Sequence, residues 1–298
     1  MRAIWTDLAM EAHGGPFESE QLGGGIERTV VRIEDEQGER ELGRPKGTYV
    51  TLSCPQTMTI DLTTRRALSE QVARTLREML PAKARTVLVT GLGNRSVTPD
   101  ALGPRTVERV LVTRHMDGTL PEDVARRMGS VCAAAPGVLG VTGIETAEVL
   151  RGMAAHVKPD AVIAVDALAA RDSRRICSTI QVADTGISPG SGVGNHRKAL
   201  TRDTLGVPVI AVGVPMVVYA STIARDAVGA LAGEDTQDEE KLAACVERVV
   251  SERLGEMIVT PREVDALVER MAGIVAEGIN LALHPGLSAA EIAQLMAE

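Results

Sequence analysis

Two aspartates follow apolar segments that are typical of buried strands. A short loop separates Asp100 from the apolar run at residues 87–89, and Asp166 directly follows the apolar run at residues 161–165. Such runs, without polar alternation, predict strands covered on both faces, as in a parallel α/β sheet. Because the carboxyl ends of parallel strands meet at one edge, we expect both carboxylates to lie there. Two neighbouring carboxylates can share a proton, so one acts as base on a water and the other as acid, a chemistry able to hydrolyse peptides.

Asp100 has a second interpretation, as the N-cap of a helix. Pro99 marks a boundary, and residues 101–114 are expected to be helical. Aspartate is a favoured N-cap residue, and a cap would also fix the direction of a catalytic carboxylate. From the local residues alone, both roles stay open.

Two glycine-containing loops are predicted to shape the cleft around the aspartates. The first contains Gly91, Gly93 and Asn94, immediately after a predicted strand. Glycine lacks a Cβ, so the backbone there can turn tightly or pass close to another segment. The second loop, residues 187–195, is expected to lie over the same sheet edge as a site loop. Its glycines are Gly190, Gly192 and Gly194.

Other catalytic and cofactor motifs are incomplete. Residues 186–190 match GxSxG, but further glycines follow where a nucleophile elbow requires a helix. Residues 91–96 begin like a dinucleotide-binding loop, but Ser96 replaces the third glycine. The five histidines show no paired metal-binding spacing, and His196, beside the second glycine loop, is the most notable of them. No metal site and no cofactor is therefore predicted from motifs.

Composition limits the possible function classes. The net charge of -8 and the aromatic content of 1% argue against a nucleic-acid partner. The four cysteines are far apart, which predicts free thiols in a reducing compartment. No apolar run approaches the roughly 18 residues of a membrane span, and the N-terminus has acidic residues where a signal peptide would be basic. We expect a cytoplasmic protein with no membrane association.

The pattern of elements predicts an α/β fold with a doubly wound, mostly parallel sheet. Apolar strands alternate with helical segments through the middle of the chain, after a small antiparallel sheet and before C-terminal helices. The predicted strands are residues 26–33, 49–62, 131–135, 161–165 and 210–214, and the predicted helices are residues 63–80, 101–114, 145–157, 217–231, 242–254, 261–278 and 288–297. Residues 1–25 are expected to be mobile, and residues 34–46 to form a charged turn region.

Several long segments together resemble the germination proteases of spore-forming bacteria. They are VTGLGNRSVTPDALGP at 89–104, TRHM at 113–116, PGVLGVTGIET at 136–146, AVIAVDALAAR at 161–171, ISPGSGVGNHRK at 187–198 and GVPVIAVGVP at 206–215, with TPREVD at 260–265 and GINLALH at 278–284. The resemblance covers most of the chain.

The resemblance implies an atypical aspartic endopeptidase that starts the degradation of small acid-soluble spore proteins during germination. It further implies a three-layer α/β/α fold of the phosphorylase/hydrolase-like kind, similar to hydrogenase-maturation endopeptidases. The family is made as an inactive homotetrameric zymogen in the forespore and removes its own propeptide. Its two implicated carboxylates fall on Asp100 and Asp166.

The N-terminus resembles a substrate of that family, which cuts after an acidic and before a large apolar residue. In the segment TDLAME at residues 6–11, this places self-cleavage between Asp7 and Leu8. The expected organisation is a propeptide of residues 1–7 and a single peptidase domain of residues 8–298.

Two other functions stay open. A metal-dependent maturation-type endopeptidase on the same scaffold would hold a divalent ion at Asp100 and Asp166, although no histidine ligand can be placed by motif. A non-enzymatic α/β module that binds a nucleotide would show saturable binding and no proteolysis.

Overall fold

A computed structural model describes residues 6–12, 17–54, 61–119, 121–188, 198–232 and 257–297. Its strands are β1 (Glu18–Gln21), β2 (Glu27–Ile33), β3 (Gly47–Ser53), β4 (Thr86–Gly91), β5 (Ser130–Ala134), β6 (Ala161–Ala170), β7 (Thr179–Ala183), β8 (Val209–Tyr219) and β9 (Ile258–Val259). Its helices are α1 (Ala9–Ala12), α2 (Glu36–Leu42), α3 (Leu62–Met79), α4 (Leu102–Val107), α5 (Glu122–Ala125), α6 (Leu139–Thr142), α7 (Thr146–Val157), α8 (Arg202–Leu205), α9 (Ala220–Ala232), α10 (Val264–Leu283) and α11 (Ala289–Ala297).

The described strands form one sheet with a parallel centre. The order is β1-β2-β3-β7-β8-β6-β4-β5, with β9 paired to β8. Strands β8, β6, β4 and β5 run parallel to one another, while β1, β2, β3, β7 and β9 pair antiparallel with their neighbours. The antiparallel strands expected from the sequence are therefore present, but they extend the same sheet instead of forming a separate one.

Helices cover both faces of this sheet, which confirms the predicted α/β architecture. On one face, α3, α4 and α10 pack in a single aliphatic core with the sheet. On the other face, α7 and α8 pack against β4, β6 and β8, and residues 8–10 form a smaller cluster with β2, β3 and β6. The core is aliphatic because the chain has almost no aromatic residues.

The hydrophobic stripe of α3 shows how the sequence produces one of these layers. Asp61 caps the helix by accepting the Thr64 N–H at 2.7 Å, and Leu68, Val72 and Leu76 recur along one face. The side chains of Leu68, Val72 and Leu76 are all buried in the core. A helical period of apolar residues thus buries one face while the arginines and glutamates of α3 remain at the surface.

Several predicted boundaries were wrong. The helix expected at 101–114 is α4, which ends at Val107, and residues 217–219 belong to β8 instead of a helix. The charged region 34–46 contains α2, begun by Asp35, which accepts the Gly38 N–H. The predicted helix at 242–254 lies outside the described residues.

The expectation of a mobile N-terminus was also wrong for the part that the structure describes. Leu8 and Ala9 are fully buried, and α1 and β1 are regular elements. Apolar residues in this short stretch find partners on the sheet that local sequence does not reveal.

None of the helices in the described ranges has the length and apolar character needed to cross a bilayer. Of the cysteines, Cys132 is a free thiol, as predicted, Cys54 and Cys177 are buried, and Cys245 lies outside the described residues.

Candidate active site

The chain leaves β4 at the carboxyl edge of the sheet and turns at Gly93. The Leu92 N–H donates to the Val165 carbonyl of β6 at 2.8 Å, and Gly93 adopts a φ of +106°. A Cβ on Gly93 would lie 2.0 Å from the Asp100 carbonyl oxygen. This left-handed turn therefore requires glycine, both for its backbone conformation and for the space.

The carboxylate of Asp100 binds this turn and does not cap a helix. Its Oδ2 accepts the Asn94 N–H at 2.6 Å. Asp100 ends a 3₁₀ turn (Thr98–Asp100), and α4 begins only after Ala101, which is its N-cap. The N-cap interpretation was thus wrong, because Asp100 belongs to the 3₁₀ turn and the N-cap position of α4 falls on Ala101.

A second glycine fixes this connection against the parallel strands. A Cβ on Gly103 in α4 would lie 2.3 Å from the Leu92 carbonyl oxygen and 2.5 Å from that of Val165. Backbone approaches backbone here, at the ends of β4 and β6. The turn that carries Asp100 consequently packs against β6 and β8.

Asp166 lies within β6, and not at its end as the sequence indicated. The strand continues to Ala170, whereas its neighbour β4 ends at Gly91, opposite Val165. Asp166 is therefore the first residue of β6 beyond β4, at the edge where the Asp100 turn lies. Its side chain is 4% exposed, and its Oδ1 accepts the Ala167 N–H at 2.9 Å. Both carboxylates lie along the carboxyl edge of the parallel strands.

The N-terminal segment, residues 6–12, is bound to this same end of β6. The Asp7 N–H donates to the Ala169 carbonyl at 2.8 Å, and the Asp7 carboxylate accepts the Ala169 N–H at 2.8 Å. Leu8 is buried in a cluster that includes Tyr49 and Leu168. The predicted cleavage site is thus held beside the strand that carries Asp166.

The side chain of Gln181 in β7 forms hydrogen bonds on both sides of the peptide bond between Asp7 and Leu8. Its Nε2 donates to the Asp7 carbonyl oxygen at 3.0 Å, and its Oε1 accepts the Ala9 N–H at 2.7 Å. This residue was not among the site residues predicted from the sequence. Its signal was a single amide between the apolar residues Ile180 and Val182.

Glu11 anchors the other end of the segment and was also missed. Its two carboxylate oxygens accept the N–H groups of Arg171 and Asp172 at 2.7 and 2.8 Å, and the Arg175 Nε lies 3.4 Å away. The Thr6 hydroxyl donates to the same carboxylate. Because Glu11 is 8% exposed, these contacts replace water around a buried charge.

A cavity of about 120 Å³ lies beside Asp7 and between the strands that carry the site. Leu168, Gln181 and Gly213 line it, together with Arg44, which donates to the Thr6 carbonyl. A cavity of about 530 Å³ is located elsewhere, around Arg85 and Gly129 at the amino ends of β4 and β5. Only the smaller one adjoins the N-terminal segment.

The second glycine loop is described only at its base. Ile187 and Leu200 exchange two backbone hydrogen bonds of 3.0 and 2.7 Å, which closes the loop. Gly186 precedes them with a φ of +79°, and a Cβ there would lie 2.1 Å from the Leu200 carbonyl oxygen. Gly190, Gly192, Gly194 and His196 lie outside the described residues.

Within the described ranges, no three His, Cys, Asp or Glu side chains are grouped so that they could hold a metal ion. Burial raises the pKa of the Cys177 thiol to about 12, so this thiol stays protonated and is a packing residue.

Comparison with known proteins gives matches along nearly the whole chain. The germination protease family model matches residues 9–237 and 228–295. The germination protease of Caldanaerobacter subterraneus subsp. tengcongensis is 44% identical over 317 residues, covering 98% of each chain. That of Clostridium acetobutylicum is 41% identical over 323 residues, again covering 98% of each. A solved [NiFe] hydrogenase maturation protease from Thermococcus kodakarensis is 18% identical, with a TM-score of 0.34 over 69% of this chain and 98% of that one. The match to the family model and the identity to these two germination proteases show that this chain belongs to the germination protease family, whose members are endopeptidases of spore germination.

Proposed function

We propose that this endopeptidase is an aspartic-type enzyme in which Asp100 and Asp166 activate a water molecule. One carboxylate accepts a proton from the water as its oxygen adds to the peptide carbonyl carbon. The other donates a proton to the leaving nitrogen as the C–N bond breaks. The position of both side chains at the carboxyl edge of β4 and β6 supports this assignment.

We further propose that the enzyme is made as a zymogen that cleaves itself between Asp7 and Leu8. The single observation that carries this proposal is the docking of Asp7 on Ala169, in the extension of β6 that begins with Asp166. In this proposal, the peptide bond between Asp7 and Leu8 is the substrate in cis. Cleavage of this bond would release residues 1–7 and leave the peptidase domain of residues 8–298.

The substrates in trans are proposed to be small acid-soluble spore proteins, cut after an acidic residue. The segment TDLAME offers the same pattern of an acidic residue before a large apolar one. The proposed setting is the forespore and spore core, where the protein acts as a homotetramer without a nucleic-acid or membrane partner and without an organic cofactor.

The test is intact-mass spectrometry of the purified protein during incubation at mildly acidic pH. Wild type is compared with Asp100→Asn and Asp166→Asn, each with and without a chelator. We expect wild type to lose residues 1–7 at a rate that chelation does not change, while both variants keep them. An intact Asp7–Leu8 bond in wild type would contradict the zymogen proposal, and loss of cleavage on chelation would favour the metal-dependent mechanism.

A further inference from the structure

The side-chain amide of Gln181 has only one possible orientation. A backbone N–H can only donate and a backbone carbonyl can only accept, so the Ala9 N–H must face Oε1 and the Asp7 carbonyl must face Nε2. The donor of the amide therefore points at the carbonyl oxygen of the bond proposed to be cleaved. The acceptor holds the chain two residues further on.

Gln181 also shares a row and a face of the sheet with Asp166. Gly213 of β8 is the register partner of both, Gln181 on one side and Asp166 on the other. Directly paired residues point their side chains to the same face, so the amide and the carboxylate flank a position that has no side chain. The two Cα atoms are separated by two strand spacings, about 10 Å, and the Leu168 side chain covers Gly213 between them.

Burial makes this hydrogen bond strong and its loss costly. Gln181 is 8% exposed, and Leu8 and Ala9 beside it are fully buried. An amide donor in such a site is already aimed and needs no reorganisation by water when charge develops on the carbonyl oxygen. The same contact in solution would give much less stabilisation.

We propose that Gln181 is a catalytic residue of the self-cleavage, which stabilises the oxyanion on the Asp7 carbonyl. As the water oxygen bonds to the Asp7 carbonyl carbon, the carbonyl π electrons move to the oxygen that Gln181 Nε2 contacts. One aspartate takes the proton of the water, the tetrahedral intermediate collapses, and the Leu8 nitrogen leaves with a proton from the other aspartate. Gln181 itself exchanges no proton. This role depends on the proposed cleavage between Asp7 and Leu8.

Two near-isosteric substitutions separate the donor of Gln181 from its acceptor. Gln181→Glu keeps an oxygen for the Ala9 N–H but, when ionised, has no donor for the Asp7 carbonyl. Gln181→Met keeps the length and removes both hydrogen bonds. The control is Thr179→Val, two residues earlier on the same face of β7, whose buried hydroxyl has no hydrogen-bond partner among the residues that the structure describes.

The rate of loss of residues 1–7 is measured by intact-mass spectrometry, and thermal unfolding confirms that each variant is folded. Amide exchange of residues 8–10 is recorded in parallel on protein not yet cleaved. We expect Gln181→Glu and Gln181→Met to slow cleavage about 10²- to 10³-fold, and Thr179→Val to leave the rate unchanged. In Gln181→Glu, the exchange of residues 8–10 should stay at the wild-type level, because the Ala9 bond is retained.

Each other outcome has a distinct meaning. Cleavage of both Gln181 variants within a few-fold of the wild-type rate, with Asp166→Asn inactive, would overturn the role of Gln181 and leave the proposed function intact. Slow cleavage of Gln181→Glu together with fast exchange of residues 8–10 would make Gln181 a packing residue, which also overturns the proposal. Absence of cleavage in wild type would remove the proposed self-processing and this role with it.

Discussion

The position of the Asp100 carboxylate is decided by individual glycines. Gly93 makes the left-handed turn that Asp100 closes, and Gly103 lets α4 approach the ends of β4 and β6. Their role is to bring a backbone segment close enough for a short side chain to be held in one place.

Substitution of Gly93 tests this dependence. We expect Gly93→Ala to prevent self-cleavage and to lower the free energy of unfolding by roughly 1–3 kcal/mol, because its Cβ meets the Asp100 carbonyl at 2.0 Å and its φ is left-handed. Gly118→Ala is the control, since Gly118 has a φ of +79° but open space around a Cβ. We expect the Gly118→Ala variant to lose about 1 kcal/mol of the free energy of unfolding and to cleave itself at the normal rate. Urea denaturation and intact-mass spectrometry measure the two effects, and normal cleavage by Gly93→Ala would contradict the assignment.

At the scale of elements, the N-terminal segment is held by contacts at both ends. Asp7 binds the backbone of Ala169, and Glu11 binds the backbone of Arg171 and Asp172. The apolar residues between them enter the cluster with Tyr49 and Leu168. The segment therefore lies beside the part of β6 that continues beyond the end of β4, and its Asp7–Leu8 peptide bond is held in a fixed place.

Glu11 is expected to be the main anchor of this segment. In Glu11→Gln, the amide offers one acceptor oxygen where the carboxylate offers two, and the ion pair with Arg175 is lost. A charged hydrogen bond of this kind contributes about 1.5–3 kcal/mol, so we expect amide exchange of residues 8–12 to become about tenfold faster or more. The control is Glu20→Gln, an exposed side chain of β1. Equal exchange in wild type and Glu11→Gln would show that apolar packing alone holds the segment.

At the scale of the whole molecule, the long helix α10 links the core to the loop after α4. His284 at its end is fully buried, and its Nε2 lies 3.1 Å from the Leu111 carbonyl oxygen. Burial lowers the pKa of His284, although its hydrogen bond to Leu111 opposes this. The imidazole is thus held neutral, with the proton on Nε2 donated to the carbonyl.

This histidine makes the stability of the fold depend on pH. Below about pH 6.5 the unfolded chain binds a proton that the folded protein does not, so the free energy of unfolding falls as pH drops toward the lowered pKa. The limiting slope is about 1.4 kcal/mol per pH unit. We expect wild type to lose more stability between pH 7 and pH 5 than His284→Gln, whose amide can still donate to Leu111. Urea denaturation at both pH values measures this, with the exposed His156→Gln as control. Equal losses in wild type and His284→Gln would contradict it.

The sequence by itself determined the class of fold and the edge at which the aspartates lie. The apolar runs before Asp100 and Asp166 predict buried parallel strands, and parallel strands end on a common edge. These inferences depend on residue type and period, which act over a few residues. The resemblance to germination proteases, spread over several segments, then pointed to the family that the comparisons confirm.

Only the tertiary structure decided how the site is assembled. The bonds from Asp7 to Ala169 and from Gln181 to Asp7 join residues 162 and 174 positions apart. Local patterns carry no information about such pairs, so the docked N-terminus, Gln181 and Glu11 were not foreseen. The carboxylate of Asp100 likewise binds the Gly93 turn and not a helix, because Asp100 ends a 3₁₀ turn and Ala101 takes the N-cap position of α4. Local hydrophobic pattern therefore indicates the buried central strands and the edge that they share, while the contacts of a single polar side chain depend on which distant segments the folded chain brings beside it.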